Sequence, residues 1–215
     1  MTLHADIFWS FRSPYSYLAT RRYRTLMDQY DLSLNLRPVY PLAIRQPDFF
    51  ERNHPSWLRY LLTDVARLSQ YLDIPFAPPR PDPIVQDMAT RRIADEQPHI
   101  FRLTRLGQAA ARRGHSLAFC DEVSQLIWGG TVGWNEGSQL ARAAERAGLD
   151  FAELDAEAAA EPEALDAEIA ANQAALEASG HWGVPTLVFN GEAFFGQDRI
   201  DVAVWRMQQR GLEKR

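Results

Sequence analysis

Ile7-Phe8-Trp9-Ser10-Phe11-Arg12-Ser13-Pro14-Tyr15-Ser16-Tyr17-Leu18-Ala19 passes from one kind of local order to another within a few residues. Ile7, Phe8 and Trp9 form a short apolar run of strand formers, bounded by Ser10-Phe11-Arg12. Ser13-Pro14 then reads as a helix start, with serine as N-cap and proline at the first helical position, where its missing N–H is no loss. From Pro14 to about Tyr30, Tyr15, Leu18, Leu26 and Met27 stand among polar residues, which predicts an amphipathic helix. Leu32, Leu34 and Leu36 alternate with Ser33 and Asn35, the spacing of a strand with one buried face. Two strands flanking a helix of this length suit a parallel βαβ unit.

The C-terminal end returns to strands. Pro185-Thr186-Leu187-Val188-Phe189, Asn190-Gly191 and Glu192-Ala193-Phe194-Phe195 predict a hairpin closed by an Asn-Gly turn. Asp198 then reads as the N-cap of a last helix to about Gln209, with Ile200, Val204 and Met207 on its apolar side. Between these ends the texture is helical. Helices are expected from Trp57 to Tyr71, Ile100 to Arg113, Leu117 to Ile127, Ser138 to Ala147 and Pro162 to Ala178, the last stopped by Gly180. A Pro-rich connector (Pro75, Pro78, Pro79, Pro81, Pro83) interrupts them. Sixteen of the 41 residues from 138 to 178 are alanine, which favours closely packed helices. The acidic run from Asp150 to Glu168 reads as a solvated helix face. The layout is βαβ, a long helical insertion, then ββα.

Composition narrows the function. Of 215 residues, 46% are hydrophobic and 24% charged, and 23 basic against 28 acidic side chains leave a net charge of −5. A core is easily built at this size. The acidic balance argues against wrapping nucleic acid, and no apolar run approaches the ~20 residues needed to span a bilayer. The N-terminal MTLHADIFWSF has no basic segment followed by a long apolar stretch, so no secretory signal is expected and the cytoplasm is the expected location. The single cysteine, Cys120, excludes an internal disulfide, a Cys-x-x-Cys pair and a Cys-rich zinc site. It lies in Leu117-Ala118-Phe119-Cys120 and reads as core. His4, His54, His99, His115 and His181 show no metal-ligand spacing, and no Gly-rich phosphate loop is present.

Three segments could carry chemistry. At Ser13-Pro14-Tyr15-Ser16 a helix N-terminus presents unpaired N–H groups and partial positive charge, which stabilise an anion, and the serine hydroxyl can donate to the same anion. A plain N-cap is the alternative. In Trp182-Gly183-Val184-Pro185-Thr186, a proline opening a strand lacks a ladder N–H; a cis Val184-Pro185 bond would let the Val184 backbone pair with an extended peptide, and an ordinary trans edge proline is the alternative. In Phe195-Gly196-Gln197-Asp198-Arg199, the Asp198 carboxylate and nearby N–H groups could hold both charges of an amino-acid zwitterion, with Gly196 allowing close approach.

Taken together, these segments resemble the 2-hydroxychromene-2-carboxylate isomerase family, close relatives of the kappa-class glutathione transferases. The resemblance rests on Ser13-Pro14-Tyr15-Ser16-Tyr17-Leu18-Ala19, Gly183-Val184-Pro185-Thr186 and Phe195-Gly196-Gln197-Asp198-Arg199. Asn53, Tyr60, Asp64 and Ile74-Pro75-Phe76 fit the family's middle part, while the stretch between Asn53 and Tyr60 and the region from Pro81 to His99 depart from it. The resemblance implies an α/β thioredoxin-like fold (βαβ…ββα) with a large all-helical insertion of the DsbA type. Residues 1–45 and 180–215 would form the thioredoxin-like domain and 46–179 the insertion. It also implies glutathione as cofactor and a homodimer. Ser13 would be the catalytic residue, binding and activating the glutathione sulfur at the first turn with Pro14 and Tyr15. Val184 and Pro185 would pair with the cysteinyl unit, Gln197 and Asp198 would hold the γ-glutamyl end, and Asn53 would line the cleft.

The implied activity is a glutathione-dependent isomerase acting on an aromatic, acidic small molecule. A kappa-class-like glutathione transferase is the alternative, and a non-catalytic glutathione- or peptide-binding module is another. A disulfide oxidoreductase is disfavoured because Ser13 and Ser16 stand where a Cys-x-x-Cys pair would be. Arg12, Arg45 and Arg59 are candidates to pair a substrate carboxylate. Tyr15, Trp128 and Trp134 are candidates to line an aromatic pocket. No nucleic acid or membrane partner is expected.

Overall fold

The computed structural model describes residues 2–87 and 89–215. Strand β1 (Leu3–Trp9), helix α1 (Pro14–Gln29) and strand β2 (Leu32–Pro38) form the expected unit, with β1 and β2 parallel from Leu3↔Leu32 to Trp9↔Pro38. Strands β3 (Thr186–Phe189) and β4 (Glu192–Phe195) make the hairpin, and β3 runs antiparallel to β1, giving the order β2-β1-β3-β4. Asn190 (φ 50°) and Gly191 (φ 80°) both adopt the left-handed region, as a two-residue turn matched to strand twist requires. This is the thioredoxin-like arrangement expected from the sequence.

Between β2 and β3 lie α2 (Leu42–Arg45), α3 (Phe49–Arg52), α4 (Pro55–Tyr71), α5 (Ile100–Arg112), α6 (Ser116–Trp128), α7 (Gln139–Arg146), α8 (Phe151–Ala160) and α9 (Pro162–Ala178). A 3₁₀ turn (Gln197–Arg199) and α10 (Ile200–Gln208) follow β4. The strand period of two divides the sheet's side chains between two layers. Ile7, Trp9, Leu187 and Phe189 join the large core with Leu18 and Tyr23 of α1, Leu103 and Phe119 of α5 and α6, and Ile200 and Met207 of α10. Phe8 and Val188 point the other way, onto Leu176 of α9. A buried polar bracket ties these layers: Asn172 of α9 donates to the Pro38 carbonyl (3.0 Å) and the Gln108 side chain (2.9 Å), and accepts from Arg37 (2.9 Å).

The structure departs from the sequence expectation at the acidic run and at Asp198. The acidic run is divided at Glu161-Pro162 and is paired rather than simply solvated. Asp150 caps α8 by accepting from the Ala152 and Glu153 amides, Asp166 accepts from Arg105 (2.6 and 2.8 Å) and the Tyr40 hydroxyl, and Glu157, Glu161 and Glu168 converge on Arg112. Asp198 does not cap the last helix, because the chain enters it through the 3₁₀ turn, and Gly196 stands at the cap of that turn with φ 100°. Cys120 is fully buried in α6, and burial holds its thiol well above its ordinary range. Among the described residues, no helix is long and apolar enough to cross a membrane and no His/Cys/Asp/Glu group could hold a metal ion.

Candidate functional site

The fold brings Ser13 and Val184 into contact although they lie far apart in sequence. Ser13 is the N-cap of α1: its Oγ accepts from the Ser16 amide (3.1 Å) and donates to the Val184 carbonyl (3.3 Å). The first turn of α1 carries no acidic side chain, so nothing there competes with an incoming anion for the helix's positive end. Pro14 occupies the first helical position and is buried. Ser16 is fully buried, and its hydroxyl has no partner among the described residues.

The Val184-Pro185 peptide is cis. Around it, several backbone groups are held. The Trp182 carbonyl accepts from Arg45 (2.9 Å), the Gly183 amide donates to His181 Nδ1 (2.8 Å), and the Gly183 carbonyl accepts from the buried Thr186 hydroxyl (2.7 Å). The Pro185 carbonyl accepts from the Gly196 amide (2.8 Å), which ties the Gly196-Gln197-Asp198 segment to this strand start. The Val184 amide, by contrast, has no partner among the described residues. An unpaired backbone donor beside fixed neighbours is the geometry on which an extended peptide can add.

The other expected site residues are arranged as follows. Tyr15 donates its phenol to Asp64 of α4 (2.8 Å). Burial, then the Asp64 hydrogen bond and charge, push its ionisation far above the ordinary tyrosine range, and Asp198 adds to the effect, so the phenol stays protonated. The Asp198 carboxylate is exposed and pairs with Arg199 (2.8 Å). Gln197 is buried, and Arg22 donates to its backbone carbonyl (2.6 Å) and more weakly to its side-chain oxygen (3.4 Å). Asn53 stands at the C-terminal cap of α3 with its side chain on the Phe49 carbonyl (2.7 Å). Among the described residues no hydrogen bond joins it to Ser13; it is linked to the cleft through Phe49, whose ring lies 5.7 Å from Trp182.

Several candidates for the substrate side are engaged elsewhere. Arg12 forms a two-pronged pair with Asp82 (2.5 and 2.6 Å) and lies 5.6 Å over the Trp128 ring. Arg45 is spent on the Tyr40 and Trp182 carbonyls. Arg59 is exposed and makes no ion pair among the described residues. Trp128 and Trp134 are core residues: each is at most 3% exposed and donates its indole N–H to a backbone carbonyl, of Phe11 and Pro81 respectively, and Trp134 borders only a small cavity beside His99 and Leu140. The aromatic wall that does exist is built from other residues. Phe49 packs on Phe50, Trp57 and Trp182 at 5.4–5.7 Å, and His181 stacks on Phe195 at 3.9 Å. The Phe49-Phe50 pair just before Asn53, and Trp182 just before Gly-Val-Pro, were the available signals.

A family model for the DSBA-like thioredoxin domain matches residues 5–208. The chain belongs to that family. Among solved structures, a selenomethionine 2-hydroxychromene-2-carboxylate isomerase superposes with a TM-score of 0.73 at 21% identity, covering 96% of this chain and 95% of that one. The cytosolic disulfide reductase DsbM from Pseudomonas aeruginosa gives 0.61 at 17% identity (97% and 99% covered), and its structure with GSH gives 0.59 at 18% (97% and 100%). No curated protein matches in sequence. These distant likenesses establish the DsbA-like fold.

Proposed function

We propose that the protein is a glutathione-dependent isomerase of the 2-hydroxychromene-2-carboxylate isomerase type. The observation that carries this reading is the pairing of a serine N-cap with a free Val184 amide. A thiol peptide laid along Val184 would bring its sulfur to the Ser13 end of α1, where the enzyme has a hydroxyl and no thiol of its own. Glutathione's thiol, with an ordinary pKa of ~8.5, is mostly protonated at neutral pH. The helix end and the Ser13 hydroxyl favour its thiolate. The thiolate adds to a conjugated carbonyl acceptor, forming a C–S bond and turning a double bond into a rotatable single bond. After rotation the C–S bond breaks and the double bond re-forms, so glutathione is returned. Asp198 suits the γ-glutamyl ammonium, and the aromatic wall from Phe49 to Trp182 suits a flat substrate.

The same thiolate acting on a substrate that carries a leaving group would give a kappa-class-like transferase. A cleft that holds glutathione without lowering its thiol pKa would be a binding module. A cytoplasmic location suits a free cysteine and a glutathione ligand, and dimerisation belongs to the same proposal. The test is glutathione itself. At millimolar concentration it should raise the melting temperature by linkage, and bound thiolate absorbance should appear well below pH ~8.5. Absence of binding would overturn both the isomerase and transferase readings, and a product assay separates those two.

A further inference from the structure

We propose that His181 is a positioning residue for the thiol-peptide site: its Nδ1 holds the Gly183 amide, keeping the Val184 backbone aligned for the ligand while the ring is neutral and releasing it when the ring is protonated. The proposal rests on the glutathione reading above. His181 lies three residues before Val184, and its ring is clamped face to face on Phe195 of β4 (3.9 Å, 19° between planes), with Trp182 stacked 5.6 Å away. The clamp fixes the imidazole, and the Gly183 amide points at Nδ1 at 2.8 Å. A backbone N–H can only donate, so Nδ1 must accept and carry no proton. Protonation replaces that acceptor with a second donor aimed at the first. Gly183 is also hemmed in: a Cβ there would come within 2.5 Å of the Phe195 ring and 2.9 Å of the His181 ring. The loop is therefore a close fit between the two rings.

Among the described residues, no charged side chain bonds the imidazole to offset the change. The charged groups on the surrounding elements are Arg45 of α2, Glu177 of α9, Glu192 of β4, Asp198 and the Asp48–Arg52 pair of α3. Arg45 is engaged with backbone carbonyls, Glu192 with Arg206 and Asp198 with Arg199, and none of these side chains bonds the imidazole. Partial burial of the ring lowers its proton affinity further, so the neutral form prevails at neutral pH.

The test uses S-methylglutathione, whose sulfur does not titrate and whose other groups keep their charge between about pH 5 and 7. Its dissociation constant would be measured by calorimetry at both ends of that range. For wild type, loss of one hydrogen bond in the aligned loop predicts binding about three- to tenfold weaker at the acid end. His181→Phe keeps the stack and removes the acceptor, so it should bind weakly at both pH values. His181→Asn places an amide oxygen two residues before the Gly183 amide, as in an Asx turn, and should restore tight binding at both. In parallel, the Gly183 amide resonance of the free protein should shift with the titration of His181. Binding by wild type that is equal at both pH values, or a Gly183 amide indifferent to that titration, would overturn the proposal and leave the glutathione reading intact. No binding at either pH would overturn the glutathione reading, and the proposal with it.

Discussion

Replacing Ser13 by alanine removes two functions of one oxygen, and they can be read separately. As N-cap, Ser13 Oγ satisfies the Ser16 amide (3.1 Å); losing such a cap costs about 1 kcal/mol. For a domain of this size that corresponds to a fall in Tm of roughly 2–4 °C. As donor, the same hydroxyl now reaches the Val184 carbonyl at 3.3 Å, a weak bond easily given up. Turned to a glutathione thiolate it would make a charge-assisted bond of about 1.5–3 kcal/mol, which is roughly one to two units of thiol pKa. Ser13→Gly separates the effects, because glycine at an N-cap costs only about a few tenths of a kcal/mol. The glycine variant should keep most of the melting temperature and show the whole rise in bound-thiol pKa. The assay is thiolate absorbance against pH on the saturated complex, beside thermal unfolding of the free protein. A thiol pKa that stays put in both variants would refute the role given to the hydroxyl, whatever happens to Tm.

Gly183→Ala should destabilise by about 1–3 kcal/mol, as overpacking does, because the new Cβ meets the Phe195 and His181 rings at 2.5 and 2.9 Å; urea unfolding checks this, and unchanged stability would mean that the rings move freely. Asp166, held below the ordinary carboxylate range by Arg105, and Glu168, held there by Arg112, bind fewer protons folded than unfolded. Their stability is fully present above the ordinary carboxylate values of about 4 and is lost as pH falls through their folded values. Asp166→Asn with Glu168→Gln should therefore flatten the acid limb of a Tm-versus-pH curve; an unaltered slope would contradict the pairing. Cys120, buried and protonated, should react with a thiol reagent only at the rate of unfolding. Rapid labelling of the native protein would show that α6 opens locally.

The parts of the fold that were legible are those written within a few residues. Ser13-Pro14 marks the start of α1 and Asn190-Gly191 the β3–β4 turn, because capping and left-handed φ are local demands. The four-residue helices α2 and α3 are too short for any period to show. What is not written locally in the sequence is mostly long-range. That Arg12 is taken by Asp82 and Arg45 by the Trp182 carbonyl depends on partners 70 and 137 residues away. Trp128 and Trp134 look like pocket aromatics by type, and only the fold gives their indole N–H groups interior carbonyls. The acidic run looked solvated because Arg105 and Arg112 lie on α5, at least 45 residues upstream of the carboxylates they hold.

The Ser13–Val184 contact spans 171 residues. A growing chain can build β1, α1, β2 and the whole run of helices before one half of the cleft has been synthesised. At about 5–20 residues per second, many seconds pass in which the helix end is present but its opposing backbone is not. Closing so long a loop is a late event, and β1–β3 pairing makes the topology slow to form. Affinity for a thiol peptide would thus arise near the end of folding and vanish at the first sub-global opening that frees β3. The cleft is therefore complete only in molecules whose β3–β4 hairpin is docked on β1.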